Sequence, residues 1–423
     1  MPRRFTLALG LLLPLLTLAP RARAAEPVAI RVATFNIEDL RTDELIEPYS
    51  ERARHAAEVI QRIRPNVILI NEITDDMSGG PDFDPKAGPG QNADRFARLL
   101  ARPAAPGLAP LEFTAFSREV NTGRASGFDL DRNGEVVTII PPPSRKQTDA
   151  QRAYGGDCWG FGAYPGEYGM VLLVDKRLEI KEDYVRTFRL FPWKDMPNAM
   201  MPQYTPEPGE DKSGTAASKE EGENKEAATK GADDKPGPWY ADEAGELFRL
   251  SSKSHWDVPV ELPNGEVVHF LCSHPTPPAF DGPEARNKLR NHDEIRFWAD
   301  YVDNAAYIVD DHRQPGGLPA GANFVILGDL NADPDEGQTV GNPIASLLFA
   351  NRHIADDPHP TSDLALPGLD PDDTSRFRLR VDYVLPSRTI GVRKTGIWRY
   401  PPAGAEFPSD HFPVWADLVV PGK

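Results

Sequence analysis

The stretch FVILGDLNADPDEG, residues 324–337, decides the fold class of this chain and raises the question of its function. Its first four apolar residues predict a buried strand, and polar residues then follow at alternate positions, beginning with Asp329 and Asn331. Side chains two positions apart on a strand point to the same side, so these two are expected to face one site. The same residue types also form ordinary turns, and the stretch alone leaves both interpretations open.

Strand-like and helical segments alternate along the rest of the chain. Residues 28–37 and 66–72 predict strands on either side of an amphipathic helix at 51–63, which is an α/β pattern. An Asn-Gly pair within residues 258–274 predicts a hairpin, and a helix is expected at 284–302. Further strands are predicted at 169–174, 323–327, 380–385 and 414–420. Hairpins combined with helical crossovers indicate mixed sheets rather than a purely parallel one.

The segment 1–24 has the pattern of a secretory signal peptide. Two arginines precede an apolar stretch at 5–19, and an A-x-A cleavage site follows at 22–24. We expect cleavage after Ala24, which leaves residues 25–423 as a secreted or periplasmic protein. No later apolar run is long enough to span a bilayer, so no stable membrane anchor is expected.

The charge of the chain restricts its partners. The formal net charge is −17, and the signal segment holds four arginines and no acid, so the mature chain carries −17 − 4 = −21. Such a charge repels nucleic acid at long range and makes tight non-specific DNA binding less favourable. It favours bound cations.

Residues 205–238 differ in composition from the rest of the chain, because they contain no side chain more apolar than Ala. Such a segment cannot bury enough surface to offset the entropy lost on ordering. We predict a disordered, acidic, low-complexity insertion within one domain of residues 25–423. A linker between two domains is the alternative.

The two cysteines, Cys158 and Cys272, leave their redox state open. An exported chain can pair them, but Cys272 lies in an apolar strand, where a buried free thiol is as common. Cys158 belongs to a Gly-rich aromatic stretch at 154–168 that is expected to form either a substrate rim or part of the core.

Residue types that bind metals or transfer protons recur where predicted strands end. They are Asn36, Glu38, Glu72, His274, Asp329, Asp382, Asp410 and His411. Ligands of open α/β sheets bind where strands end, so this recurrence predicts one carboxylate-rich site with two histidines.

This set of side chains suits the hydrolysis of a phosphoester. Carboxylates such as Glu72 are suitable ligands for Mg²⁺ or Mn²⁺, and the metal neutralises the phosphate and its developing charge. A carboxylate such as Asp329 accepts a proton from the attacking water, and Asn331 donates to a phosphate oxygen. A histidine protonates the leaving group or binds phosphate as a cation, with its tautomer fixed by a second carboxylate.

Six motifs of the chain, in order, resemble those of the endonuclease/exonuclease/phosphatase superfamily, which includes deoxyribonuclease I, abasic-site endonucleases, neutral sphingomyelinases and inositol polyphosphate phosphatases. The motifs are TFNIEDL, INE, SHP, GDLNADP, RVDYVL and SDHFPV, and the resemblance runs from about residue 30 to 418. It implies an α/β fold like that of deoxyribonuclease I. This is a two-sheet α/β sandwich of mixed β-sheets with helices on the outside and the site at one end.

The resemblance assigns metal binding to four residues. Glu72 is implied as the principal ligand, with Asn36 and Glu38 nearby and Asp410 in the metal shell. One departure is Asn71, where the family more often has Gln, and its side chain is expected to point away from the site.

The resemblance assigns catalysis to five residues. Asp329 is implied to position or deprotonate the attacking water, and Asn331 to bind phosphate. His411 is implied to contact the phosphate, held by Asp382, although Asp382 could instead pair with a nearby arginine. His274 is a candidate leaving-group acid, and whether Asp329 or His411 is the base stays open.

A separate stretch begins like a calcium-binding loop. Asp129, Asp131 and Asn133, followed by Gly134, have the required spacing, but Ile140 occupies the place of the bidentate Glu. We predict a structural calcium site there, and the same residues also suit a hairpin turn.

The sequence thus predicts an exported, divalent-metal-dependent phosphoesterase that hydrolyses phosphodiester bonds by metal-assisted water attack. Its substrate is expected to be nucleic acid or a small phosphodiester or phosphomonoester, and the protein a monomer. The alternatives are a phosphomonoesterase or a phospholipase C-type hydrolase of small phosphoesters or lipid head groups. A non-catalytic binding protein is disfavoured, because the whole set of site residues is present.

Overall fold

A computed structural model describes residues 26–206 and 236–422 of the chain. The predicted signal peptide at 1–24, and all of the predicted insertion at 205–238 except its two ends, lie outside the described residues. Both segment boundaries therefore stay predictions.

Six strands form the first sheet. They are β1 (Val28–Leu40), β2 (Val67–Ile73), β3 (Phe113–Phe116), β4 (Met170–Asp175), β13 (Gly391–Ile397) and β14 (Val414–Val420). Their spatial order is β13-β14-β1-β2-β4-β3, with β1 and β2 parallel and the other neighbours antiparallel.

The second sheet is also mixed. Its strands are β5 (Glu179–Ile180), β6 (Arg186–Thr187), β9 (His255–Glu261), β10 (Val267–Ser273), β11 (Asn323–Asp329) and β12 (Asp382–Pro386). The order is β12-β11-β10-β9-β5, and β6 also pairs with β9. Only β10 and β11 run parallel among these described strands, so the prediction of mixed sheets is confirmed. A separate pair, β7 (Gln203–Tyr204) and β8 (Gly237–Pro238), joins the two described ends around the predicted insertion.

The helices lie between the strands in the chain. They are α1 (Thr42–Leu45), α2 (Glu51–Ile63), α3 (Gln91–Leu100), α4 (Asp149–Gly156), α5 (Asp242–Leu247) and α6 (Arg286–Val302). Short helical turns occur at Glu182–Tyr184, Trp193–Asp195 and Ile344–Phe349. Helix α2 has the predicted bounds, because the Ser50 hydroxyl accepts a hydrogen bond from the Ala53 N–H and Arg64 ends the helix in a left-handed conformation. None of the helices in the described ranges is long and apolar enough to cross a membrane.

The two sheets pack face to face, and helices cover their outer faces. Val325 and Leu327 of β11 belong to the core cluster between the sheets, together with Leu69 of β2. Phe324 and Ile326, at the alternate positions, pack in a second cluster with α6. Strand alternation therefore gives β11 one face toward the other sheet and one toward a helix. The predicted α/β sandwich with outer helices is confirmed.

Gly328 permits a close approach of two strands just before the site. Its φ is +141°, and a Cβ built there would lie 2.0 Å from the carbonyl oxygen of Ser273. No other residue fits this position without moving β10 away from β11, which explains the glycine in the GDLN motif.

We predict that Gly328→Ala lowers the free energy of unfolding by about 3 kcal/mol, since the methyl group overlaps a backbone carbonyl. Gly321→Ala is the matched control, because Gly321 also has a positive φ, of +78°, but has nothing within 4 Å of its Cβ position. The control is expected to lose only about 1 kcal/mol. Urea denaturation of both variants measures the difference, and equal losses would contradict the steric explanation.

Candidate active site

Strand ends from both sheets meet at one edge of the sandwich. Asp329, at the end of β11, is in register with Asp382, at the start of the antiparallel β12. In the first sheet, Asn36 of β1 is in register with Asn71 of the parallel β2, next to Glu72. The topology thus brings together predicted site residues that lie far apart in the sequence.

Asn36 connects the acids of the two sheets. Its side chain is completely buried, and Nδ2 donates to Glu72 Oε1 at 3.0 Å and to Asp329 Oδ2 at 2.9 Å. Its Oδ1 accepts from the backbone N–H of Glu38 at 3.0 Å. Asn36 therefore holds two carboxylates in place and leaves their remaining lone pairs available for a ligand.

Several site residues have a strained backbone. Glu38, Asp39, Glu72 and Asn331 have φ values of +56°, +48°, +61° and +53°. Left-handed backbone is unfavourable for side chains such as Glu, and such strain concentrates at functional sites. Two of these residues contact each other, because the Asp39 N–H donates to Glu72 Oε2 at 3.1 Å.

His411 and Asp382 form a buried pair. The distance from His411 Nδ1 to Asp382 Oδ2 is 2.9 Å, and His411 Nε2 lies 3.8 Å from Asp329 Oδ2. Burial alone lowers the pKa of His411, but Asp382 and Asp329 outweigh it and raise that pKa to about 10. Burial raises the pKa of Asp382 to about 6 against the opposing effect of His411. Asp382 thus faces the histidine, and the alternative arginine partner, Arg380, pairs with another acid.

His274 also faces Asp329. Its Nε2 lies 3.4 Å from Asp329 Oδ2 and 3.8 Å from Glu72 Oε1. Burial, followed by the charge of Lys253, lowers the pKa of His274 although both acids raise it. The neutral imidazole is therefore favoured, in contrast to His411.

Asp329 is the group on which these contacts converge. Burial raises the pKa of Asp329, but His411, His274 and the hydrogen bond from Asn36 outweigh burial and leave the pKa below its usual range. Its second oxygen accepts from the Asn331 N–H at 2.9 Å, and Asn331 Nδ2 donates to the carbonyl of Pro275 at 3.1 Å. Asp329 is thus held as a carboxylate in a fixed orientation.

The acids fit a divalent cation. Ligand atoms of Glu72, His274 and Asp329 lie within 4.8 Å of one another. In the described part of the chain, Asp39 Oδ1 and Asp410 Oδ1 are buried beside this group and have no hydrogen-bond partner. Such unpaired acceptors are costly unless a ligand satisfies them.

The two remaining predicted metal ligands lie side by side. The Asp410 N–H donates to Glu38 Oε2 at 3.0 Å. Burial, and then the charge of Asp410, raise the pKa of Glu38, while burial and the charge of Glu72 raise the pKa of Asp410 against the opposing effect of His411. A cation among these carboxylates would favour their ionised forms.

Three residues that support the site were missed as functional candidates. Asn71, expected to point away, lies behind the site between the sheets, where its Oδ1 accepts from the Asp329 N–H at 3.2 Å. The Ser409 hydroxyl donates to the Asn36 carbonyl at 2.8 Å and accepts from the His411 N–H at 3.0 Å. The third is Asp39. Ser409 could have been found from the sequence, because it belongs to the SDH motif. For Asn71 and Asp39 the only indication in the sequence is that each is adjacent to a predicted site residue.

The carboxylates of the predicted calcium loop accept hydrogen bonds from nearby backbone N–H groups. Oxygens of Asp129, Asp131 and Asp157 lie within 4.8 Å of one another. Asp129 accepts from the N–H groups of Asn133 and Gly134, and Asp157 accepts from two further backbone N–H groups. These bonds stabilise the turn without an ion, and calcium binding by Asp129, Asp131 and Asn133 stays a prediction.

The Gly-rich stretch at 154–168 contributes to both core and cavity. Cys158 and Cys272 are free and buried, and Tyr154 and Tyr164 are buried as well. Five residues of the stretch, one of them Cys158, line a cavity of about 530 Å³ that also has Glu72 and His274 in its wall. The other four are Gly155, Gly156, Phe161 and Tyr168. The site therefore adjoins a space large enough for an organic group.

Residues 33–411 match the model of the Endonuclease/Exonuclease/phosphatase family. The chain therefore belongs to this family, and the resemblance of its six motifs is confirmed. Among curated proteins, no match was found.

Solved structures similar to the chain include an endonuclease/exonuclease/phosphatase from Beutenbergia cavernae DSM 12333, at 17% identity and a TM-score of 0.48, covering 93% of this chain and 72% of that one. A family protein from Bacteroides thetaiotaomicron has 11% identity, a TM-score of 0.45 and coverage of 94% and 97%. A mannosyl-6-phosphatase from Bacteroides thetaiotaomicron VPI-5482 has 12% identity, a TM-score of 0.43 and coverage of 92% and 99%.

The buried pair predicts a pH dependence of stability. Because the pKa of His411 is raised from 6.5 to about 10, protonation of its imidazole stabilises the fold fully below pH 6.5, and this contribution is lost as the pH rises through about 10. We predict that the free energy of unfolding of wild type, relative to the double variant Asp382→Asn/His411→Asn, falls between these pH values. Denaturation with EDTA present measures it, and a constant difference would contradict the raised pKa.

Proposed function

We propose that the protein is a divalent-metal-dependent phosphoesterase that hydrolyses phosphodiester bonds by direct attack of water. The observation that carries the proposal is the convergence on Asp329 Oδ2 of Asn36 at 2.9 Å, His274 at 3.4 Å and His411 at 3.8 Å. One fixed carboxylate between two histidines, beside a group of acids that fits a cation, is an arrangement that suits phosphoester hydrolysis.

The metal ligands in this proposal are Glu72, with Glu38 and Asp410 beside it. A bound Mg²⁺ or Mn²⁺ supplies charge neutralisation at the phosphate and at the leaving oxygen. The metal-ligand role predicted for Asn36 stays a prediction, and its hydrogen bonds support a different role, because its amide nitrogen faces Glu72 and Asp329 and its oxygen already accepts from Glu38. We therefore propose that Asn36 positions the acids.

Asp329, rather than His411, is proposed as the group that orients the water and accepts its proton. The pKa of His411 is raised to about 10, so at neutral pH its imidazole is a cation that donates through Nδ1 to Asp382. Its Nε2 proton is then available to a phosphate oxygen. His274 is favoured as a neutral imidazole, and we propose that its Nε2 proton supports the leaving group or that its nitrogen joins the metal ligands.

We predict that Asp329→Asn lowers kcat/KM at least about 100-fold, because the substitution removes the proton acceptor and keeps the size of the side chain. Bis-(p-nitrophenyl) phosphate, p-nitrophenyl phosphate, plasmid DNA and sphingomyelin, each with Mg²⁺, Mn²⁺, Ca²⁺ or EDTA, form the substrate panel. EDTA is expected to abolish wild-type activity.

The matched control is Asp183→Asn, which makes the same chemical change at an exposed acid in a short helical turn. It is expected to keep wild-type activity. Equal activity of wild type and Asp329→Asn would refute the catalytic assignment. Inactivity of wild type across the panel would favour the non-catalytic binding protein.

A second candidate is the hydrolysis of small organic phosphoesters, including phosphomonoesters and lipid head groups. The cavity of about 530 Å³ beside Glu72 and His274 supports it, since a pocket of this size holds a small organic group. The formal net charge of −17 also makes a polynucleotide a less favourable partner. Preference for the small esters over DNA in the panel distinguishes the two candidates.

We also propose that the enzyme is exported by its segment 1–24. Expression of the full chain in a Gram-negative bacterium is expected to give an extracytoplasmic protein that begins at Ala25, as measured by N-terminal sequencing. Ala24→Tyr should block cleavage, because the cleavage site requires small residues. A cytoplasmic, uncleaved wild type would contradict export.

A further inference from the structure

The cavity beside the site has an unusual charge for this acidic protein. Its lining contains two acids, Glu72 and Asp131, and four cationic side chains, Arg152, Lys253, Arg286 and Arg290. Arg152 pairs with Asp149, Arg286 lies 3.7 Å from Glu284, and Arg290 donates to three backbone carbonyls. Three of the four cations thus have partners within the protein.

Lys253 is the exception. It is 5% exposed and lines the cavity, yet its ammonium group makes no hydrogen bond or ion pair with any residue in the ranges 26–206 and 236–422. Burial lowers the pKa of Lys253, although Glu294, Glu72 and Asp329 raise it. The Lys253 side chain is almost fully buried, but its ammonium nitrogen is not one of the enclosed unpaired atoms of the described residues, so it reaches the cavity. Because no protein group pairs with it there, an anion in the cavity would complete the pairing.

Thr276 presents a second unsatisfied group to the same cavity. It is 7% exposed, and its hydroxyl has no hydrogen-bond partner among the described residues. The backbone segments that carry the two side chains are held by one acid, because Glu294 accepts from the N–H groups of Ser252 and Thr276, each at 2.6 Å. The Glu294 side chain on α6 therefore fixes the backbone beside Lys253 and at Thr276.

Aromatic side chains form much of the remaining lining. Tyr168, Tyr240, Phe248 and Phe280 contribute to the cavity wall. Such a lining favours an organic group, and its low polarity strengthens the attraction between Lys253 and an anion.

We propose that the cavity binds the organic group of the phosphoester and that this group carries an acidic substituent, a carboxylate or a second phosphate, which pairs with Lys253 and accepts a hydrogen bond from Thr276. The inference rests on the proposed phosphoesterase function and narrows its substrate class. It also disfavours cationic head groups such as choline, which would be repelled by the unpaired ammonium.

The experiment uses four p-nitrophenyl phosphodiesters that differ only in the second alcohol. These alcohols are choline, its neutral isostere 3,3-dimethylbutanol, 4-hydroxybutanoate and 3-hydroxypropylphosphonate. Wild type with Mg²⁺ or Mn²⁺ is expected to show a kcat/KM at least about tenfold higher for one or both anionic esters than for the neutral one. The anionic ester that is preferred identifies the acidic group as carboxylate or phosphate-like.

Lys253→Met is expected to reduce this anionic preference to less than about twofold, while Lys176→Met, at an exposed lysine, retains it. The melting temperature of Lys253→Met should equal or exceed that of wild type, because an unpaired buried charge is removed. Thr276→Val, which keeps the shape and removes the hydroxyl, should reduce the preference in part and provides a second test if Lys253→Met does not fold.

The outcomes distinguish the proposed phosphoesterase function from the proposed binding of an acidic substituent in the cavity. Wild-type hydrolysis of the neutral ester without an anionic preference overturns the assignment of the cavity and leaves the phosphoesterase function standing. An anionic preference that survives in both Lys253→Met and Thr276→Val also overturns the assignment. Failure of wild type to hydrolyse any of the four esters overturns the proposed function together with this inference.

Discussion

The arrangement of the site depends on one buried carboxamide between two sheets. Asn36 donates from a single nitrogen to Glu72 in its own sheet and to Asp329 in the facing sheet. Two carboxylates this close repel each other, most strongly in a low-dielectric interior, and donors between them offset that repulsion. The distance between the sheets and the position of the carboxylates are therefore coupled, so the packing of the sandwich sets the geometry of the site.

The site is built at a cost to the stability of the fold. Glu38 and Glu72 adopt left-handed backbone conformations, and Asp410 has one buried oxygen without a hydrogen-bond partner in the ranges 26–206 and 236–422. Lys253 adds an ammonium group on a mostly buried side chain, which faces the cavity without a partner in the described residues. A ligand that carries both positive and negative groups, such as a metal-bound anionic phosphoester, would satisfy these groups together. Strained backbone and unpaired polar groups thus occur together at the site to which we assign the proposed chemistry.

Local sequence patterns predicted most of the elements and the positions of the site residues within them. Helix α2 follows from an amphipathic period and a serine cap, and β11 from an apolar run that ends in Asp329. The predicted calcium loop stays a prediction, because Asp129 and Asp131 lie close enough to Asp157 to hold an ion but also accept hydrogen bonds from the backbone N–H of Asn133, which the spacing alone does not reveal. Asp382 is an example of what local patterns leave open. Strand alternation permits pairing with Arg380 or with His411, and the fold places Asp382 against His411.

What the sequence determined by itself was the class of fold and the identity of the residues at the strand ends, because periodicity and strand termination are local properties of the chain. Only the tertiary structure decided the contacts, the burial and the pKa shifts of those residues. It is the fold that buries His411 against Asp382 and raises its pKa, that sets Asn71 behind Asp329, and that places Lys253 in a cavity without an ion-pair partner among the described residues. These properties depend on contacts between residues far apart in the chain, and on how much water the packed sheets exclude.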